Sequence, residues 1–74
     1  MKIYVTFGSD HVHRVNGKTF DCDCVAVLEA ESPTKGREKV FDTFGAQFCF
    51  EYPEAFWDHK DMARYYPRGY INVE

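Results

Sequence analysis

Aromatic side chains are the feature of this chain that most constrains its fold. Seven phenylalanines, five tyrosines and one tryptophan occur among only 74 residues. A chain of this length buries only about 60% of the surface that its unfolded form exposes, so its core must be dense. Because each aromatic ring can bury about 150–250 Å², these side chains can replace a larger aliphatic core. The sequence therefore predicts a single domain that spans residues 1–74.

Alternation of apolar side chains predicts the strands. Residues 2–7 are mostly β-branched or aromatic with a period of two, which is typical of a strand. The pair Asn16-Gly17 predicts a hairpin, because both central residues of a type I′ turn need positive φ angles. The return strand is expected over residues 18–30. Two further strands are expected over residues 47–52 and 70–73.

Capping residues predict one main helix. Ser32 can accept a hydrogen bond at the helix N-terminus, and Pro33 suits the first helical position, where a missing N–H costs nothing. Gly45 can end the helix in a left-handed conformation. A weaker helical stripe over residues 53–66 is compatible with a short second helix. The predicted fold class is therefore α+β, an antiparallel β-sheet with the main helix packed on one face.

Histidines and cysteines at alternate positions raise the question of a metal site. The predicted hairpin would pair His13 with Phe20 and His11 with Cys22. Both histidines and both cysteines, Cys22 and Cys24, could then line one side of the hairpin. Two histidines and two cysteines can coordinate a zinc ion tetrahedrally. Zinc ligands, however, usually lie on tight turns with two or more residues between them, and flat strands separate them. Strand histidines and half-buried thiols are the favoured interpretation, so no metal or other cofactor is predicted, and a zinc site is the alternative.

The sequence predicts no catalytic machinery. Cys49 lies between Phe48 and Phe50 in a predicted strand, where a thiol usually behaves as a small core side chain. No nucleophile elbow, oxyanion loop or Gly-rich turn before a helix is present. No stretch approaches the roughly 18 apolar residues of a membrane span, and the chain begins with a strand-like run instead of a signal peptide. We therefore expect a non-enzymatic cytoplasmic protein whose three cysteines are free thiols.

Surface charge points to a protein partner. The net charge is −3, whereas a dedicated nucleic-acid-binding domain is usually basic. Clustered acidic side chains can steer a protein toward a basic groove that normally holds nucleic acid. The chain offers one such cluster with aromatic neighbours, predicted to be exposed, and a second, smaller one. The first consists of Glu51, Glu54, Phe56, Trp57, Asp58 and Asp61, and the second of Glu29 and Glu31.

Basic and aromatic residues alternate near the C-terminus and support an alternative. Arginine and tyrosine both stack on nucleic-acid bases. The segment 64–70 could therefore act together with His11 and His13 in a small nucleic-acid- or metal-binding accessory protein. The acidic balance of the chain makes this the second choice.

Short motifs along most of the chain form a familiar pattern. They are Lys2–Gly8, His11-x-His13, Asn16–Asp21, Cys24–Val27, Gly36-Arg37, Phe44-Gly45, Phe48–Tyr52 and Tyr66–Ile71. In these motifs the chain resembles small phage and prophage proteins, and some acidic, aromatic-rich phage proteins of this size are anti-CRISPR proteins, including inhibitors of type I systems. The resemblance implies an inhibitor that acts in the host bacterial cytosol, binds a CRISPR-Cas effector subunit and competes with DNA as a DNA mimic, without binding nucleic acid itself. A monomer is expected, or a weak homodimer if the first strand lies at a sheet edge.

Overall fold

Nine short elements follow one another in the computed structural model, which describes residues 1–74. They are β1 (Lys2–Thr6), β2 (His13–Val15), β3 (Lys18–Phe20), β4 (Cys24–Glu29), α1 (Pro33–Phe44), β5 (Phe50–Pro53), a 3₁₀ turn (Glu54–Phe56), α2 (Met62–Tyr65) and β6 (Gly69–Asn72). Strands β2 and β3 form a separate hairpin, and the other four strands form one sheet. The predicted α+β fold class is confirmed.

The four-stranded sheet has the order β5-β1-β4-β6, and its last strand departs from the predicted antiparallel arrangement. Strand β1 pairs antiparallel with both β4 and β5, whereas β6 pairs parallel with β4, with Ile71 opposite Ala26. The chain crosses from one edge of the sheet to the other between β5 and β6, which lets β6 enter in the direction of β4. Because β1 is an interior strand, a homodimer that pairs through it is ruled out.

The predicted hairpin turn is confirmed. Val15 lies opposite Lys18, and the two turn residues Asn16 and Gly17 have φ angles of 53° and 76°. These are the positive angles that an Asn-Gly turn supplies at low steric cost.

The predicted long strand over residues 18–30 is wrong, because a turn divides it into β3 and β4. The Asp21 side chain accepts a hydrogen bond from the backbone N–H of Asp23, with 3.0 Å between N and Oδ1. An aspartate that bonds the backbone two residues ahead replaces ladder bonds with a local turn. Cys22 consequently lies in this turn and outside the hairpin ladder, so it does not pair with His11.

Ser32 and Pro33 act as predicted at the start of α1, whereas Gly45 ends the helix with a positive φ but a ψ of −141°, outside the predicted left-handed helical conformation. Ser32 Oγ accepts a hydrogen bond from the backbone N–H of Lys35 at 3.2 Å, Pro33 is the first helical residue, and Gly45 ends the helix with a φ of 65°. The buried face of α1 consists of Gly36, Val40 and Phe44. This face packs on sheet residues that include Ile3, Val5, Ala26 and Leu28.

The opposite face of the sheet is covered by residues 54–66, which we call the cover segment. Tyr4, Val25 and Val27 form a second buried cluster there, against which Tyr52, Trp57, Met62 and Tyr66 pack. Only a 3₁₀ turn and the single turn of α2 interrupt this irregular segment. The left-handed conformation of Asp61, with a φ of 57°, separates the two turns, so one continuous helix does not form. No helix has both the length and the apolar composition needed to cross a membrane.

Strand β5 begins later than predicted, and this changes the environment of Cys49. The expected strand 47–52 is observed at Phe50–Pro53, so Cys49 precedes it. Its backbone N–H still bonds the Thr6 carbonyl at 2.8 Å, but its side chain is exposed. The prediction of a core thiol at Cys49 is therefore wrong, and the buried thiol is that of Cys24.

Candidate partner-binding surface

Two acidic residues from the separately predicted patches meet at one end of the sheet. Lys2 lies opposite Glu29 in the β1–β4 ladder, and its backbone N–H donates to Glu54 Oε1 at 3.0 Å. Both acidic residues are exposed. Strand β1 therefore brings Glu29 and Glu54 together, and we call this region the Glu29/Glu54 surface.

The charges of both carboxylates affect the pKa of Tyr4. Burial raises the pKa of Tyr4, and the charges of Tyr70, Glu54 and Glu29 raise this pKa further. A charge shifts a neighbour's pKa in this way only at short range. The strand pairing places both acidic residues around the start of β1, and their negative charges therefore disfavour the ionised form of the Tyr4 phenol.

An exposed aromatic ring lies on the same turn as Glu54. Phe56 is 77% exposed, more than any other large hydrophobic residue of the chain. It ends the 3₁₀ turn that begins with Glu54, and this turn contacts β1 and β5. The turn thus presents an apolar ring and a carboxylate together.

Trp57 supports this turn and is not itself an exposed anchor. Its ring stacks nearly parallel on Tyr4, with 5.2 Å between centroids and 15° between planes. Its indole N–H donates to the Tyr70 hydroxyl at 2.8 Å, and the same hydroxyl lies 2.5 Å from His59 Nδ1. The prediction that Trp57 is exposed is therefore wrong. Its ring is half-buried, and its backbone N–H bonds the Glu54 carbonyl at 3.3 Å, which closes the turn that carries Phe56.

The other predicted acidic residues do not join this surface as one patch. Glu51 lies opposite Val5, and cross-strand partners share a face, so it belongs to the side that packs on α1. Its Oε2 atom is buried and has no hydrogen-bond partner. Asp58 accepts the Lys60 N–H at 2.9 Å within a local turn, and Asp61 immediately precedes α2. Glu31 is exposed in the loop just beyond Glu29.

The histidines and cysteines are not gathered into a metal-binding set. His13 Nε2 lies 2.5 Å from the Gln47 carbonyl oxygen, and the His13 ring packs against Phe7 and Phe44. His11 is half-buried, with Nδ1 unpartnered. Cys22 is exposed, whereas burial raises the pKa of the Cys24 thiol. No three His, Cys, Asp or Glu side chains lie close enough together to hold a metal ion.

The basic and aromatic tail is partly used inside the fold. The Arg68 guanidinium pairs with Asp21 at 3.0 Å and donates to the Thr19 carbonyl at 3.0 Å. The Arg64 guanidinium lies 5.5 Å from the centroid of the exposed Tyr65 ring. Arg64 and Tyr65 are therefore the part of this tail that remains available, and they do not form the extended platform that the alternative interpretation needs.

Comparisons with known proteins give no further guidance. No protein-family model, curated protein or solved structure shows a significant match to this chain. A functional interpretation therefore depends on the surface described above and on the sequence motifs.

Proposed function

We propose that this protein is a non-enzymatic inhibitor of the anti-CRISPR type, which binds a host CRISPR-Cas effector subunit and blocks DNA binding. The Glu29/Glu54 surface, with Phe56 beside it, is the proposed contact. The observation that carries the proposal is the exposure of Phe56 on the turn that also presents Glu54.

An exposed aromatic ring beside carboxylates suits a basic protein groove. Aromatic anchors supply much of the binding energy of protein interfaces when a partner pocket desolvates them. Carboxylates around such an anchor attract a basic surface and raise the association rate. A groove that normally binds DNA phosphates carries the cationic side chains that Glu29 and Glu54 would meet.

Contacts within the fold position the side chains of this surface before binding, which favours binding without a large ordering cost. Trp57 stacks on Tyr4, and the Lys2 N–H holds Glu54 in place. Ordering a side chain on binding costs about 0.5–1.5 kcal/mol when it is free beforehand. A turn that is already fixed retains more of the contact energy as affinity.

The proposal is tested by competition with DNA. A purified type I effector complex is titrated onto fluorescently labelled target DNA, with and without the protein, and fluorescence anisotropy is recorded. We expect the protein to displace the DNA. Phe56→Ala should weaken inhibition roughly 30-fold, which corresponds to about 2 kcal/mol at an interface anchor.

Charge is tested with variants that preserve side-chain shape. The double variant Glu29→Gln and Glu54→Gln keeps an oxygen that can accept the Lys2 N–H but removes two charges, and it should inhibit more weakly at low salt. The double variant Asp10→Asn and Asp42→Asn is the matched control, because it also removes two charges from exposed carboxylates, and both lie outside the Glu29/Glu54 surface, one in the loop after β1 and one on α1. If Phe56→Ala and the Glu29/Glu54 double variant inhibit as well as wild type, or if the protein does not displace DNA, the proposal is wrong.

A further inference from the structure

The chain contains two asparagines, and the structure gives them opposite backbone environments. Asparagine is one of the chemically labile residues that thermostable proteins use sparingly. It deamidates when the backbone nitrogen of the following residue attacks the asparagine's own side-chain carbonyl carbon. Asn16 precedes Gly17 in the exposed hairpin turn, whereas Asn72 precedes Val73 at the end of β6. The following residue therefore decides which of the two asparagines can react.

The nitrogen of Gly17 is open to this reaction. Its N–H makes no hydrogen bond, and glycine has no side chain that could shield the nitrogen. A Cβ atom added at Gly17 would meet nothing within 4 Å, so neighbouring residues do not shield this position either. The nitrogen of Val73 is the opposite case. Its N–H bonds the Val27 carbonyl at 3.1 Å, and its own side chain is branched at Cβ and buried.

The Asn16 side chain has a structural role that the reaction would remove. Its Nδ2 group donates a hydrogen bond to the Val73 carbonyl at 2.9 Å, which ties the hairpin turn to the residue just after β6. Lys18, on the other side of the turn, donates to the Asn72 carbonyl at 2.7 Å. Because the bond to Val73 restricts rotation of the Asn16 amide, the folded protein should react more slowly than the unfolded chain.

We propose that Asn16 is a site of spontaneous deamidation, which releases the end of β6 from the hairpin turn. A base in solution takes the Gly17 N–H proton, and the nitrogen forms a bond to Cγ of Asn16. The Cγ–Nδ2 bond breaks, and Nδ2 takes a proton from solvent and leaves as ammonia. Water then opens the cyclic imide to aspartate or isoaspartate, without any oxidation or reduction. This inference is independent of the function proposed above.

Either product removes the bond to Val73. A carboxylate has no N–H to donate, and its oxygen would face the Val73 carbonyl oxygen, which is also an acceptor. Isoaspartate in addition lengthens the main chain of a two-residue turn whose geometry depends on positive φ angles at Asn16 and Gly17. We therefore expect the modified protein to be less stable than the original one.

Peptide mapping by mass spectrometry tests the site. The protein is incubated for days at mildly alkaline pH, with and without guanidinium chloride, and then digested with trypsin, which separates residues 15–18 from residues 69–74. The Asn16 peptide should gain about 1 Da as the amide becomes a carboxyl group, faster in denaturant but also in the folded protein. The Asn72 peptide is the internal control and should keep its mass over the same period. If Asn16 of the folded protein does not react while the unfolded chain is converted, or if Asn72 reacts as fast, the proposal is wrong.

Asn16→Asp tests the consequence of the reaction without depending on its rate. Asp-Gly also favours a type I′ turn, so this variant keeps the turn and loses the donor to Val73. At neutral pH it should unfold at a lower urea concentration than wild type. Asn72→Asp is the matched control, because it adds the same charge at an exposed side chain that makes no hydrogen bond, and its midpoint should fall less. Equal losses in the two variants would show that the Asn16 amide does not secure the end of β6, and would overturn this part of the proposal.

Discussion

The contact between Gly36 of α1 and Ile3 of β1 gives a sharp test of how closely the helix approaches the sheet. A Cβ atom at Gly36 would lie 2.5 Å from both Cδ1 and Cγ1 of Ile3. Ile3 is fully buried, so its side chain has no free space into which it could move. Gly36→Ala should therefore force α1 away from the sheet.

The magnitude follows from two opposing effects. Alanine in place of glycine favours an isolated helix by about 1 kcal/mol. Extra volume in a packed core costs about 1–3 kcal/mol, and two contacts this short place Gly36 near the upper limit. We expect Gly36→Ala to lower the free energy of unfolding by about 1–2 kcal/mol. In a domain of this size, each kcal/mol lowers Tm by roughly 4–8 °C.

Urea denaturation of Gly36→Ala, Ile3→Val and the double variant measures this effect. Ile3→Val alone should cost about 0.5–1.5 kcal/mol through the loss of one buried methyl group. Because it also removes the Cδ1 atom that the new Cβ meets, the double variant should be less destabilised than the sum of the single variants. If Gly36→Ala instead stabilises the protein by the helix-propensity value, the close approach of α1 to β1 is incorrect.

Two further predictions concern the hydroxyl and thiol groups of the sheet. Tyr70→Phe removes the oxygen that accepts the Trp57 N–H, so it should lower the free energy of unfolding by about 0.5–1.5 kcal/mol and change the fluorescence emission of the single tryptophan. The exposed hydroxyl of Tyr65 makes no hydrogen bond in the structure, so Tyr65→Phe should change neither the stability nor the emission. Equal effects of the two variants would contradict the Trp57–Tyr70 contact. Burial raises the pKa of the Cys24 thiol, so its contribution to stability is complete below the unfolded pKa of about 8.5 and is lost as the pH rises from about 8 to 10, where the thiol of the unfolded chain ionises more readily than that of the folded protein. Urea denaturation over this range should show a shallower decline for Cys24→Ala, and an unchanged decline would exclude this thiol as its source.

Local signals made part of the fold predictable from sequence. Asn16-Gly17 fixes a hairpin turn and Ser32-Pro33 fixes a helix start through backbone preferences that act within a few residues. The turn at residues 21–23 was missed because apolar and polar residues keep alternating there, and only the side-chain bond of Asp21 shows that the strand is interrupted. The parallel direction of β6 depends on where the cover segment crosses the sheet, and no local pattern encodes that path.

The candidate surface was predictable in its residue types but not in its arrangement. Glu29 and Glu54 are far apart in the chain, and they meet only because β1 pairs on both sides. Phe56 and Trp57 are adjacent aromatic residues, and composition could not decide which of them would face solvent. The 3₁₀ turn decides it, since it exposes Phe56 while Trp57 stacks on Tyr4. The alternating pattern of residues 2–7 does predict that Tyr4 lies on the opposite face of the strand from Ile3 and Val5, and the structure places it there.

The unequal covering of the two sheet faces has a consequence for cooperativity. The α1 face contains a buried cluster of ten residues, whereas the face under the cover segment contains three. Regions with fewer buried contacts open at lower free energy than the whole molecule. Amide hydrogens of the cover segment should therefore exchange faster than those of α1 and β4. Because Trp57 belongs to the cover segment, its fluorescence would record this opening before circular dichroism records the loss of the helix.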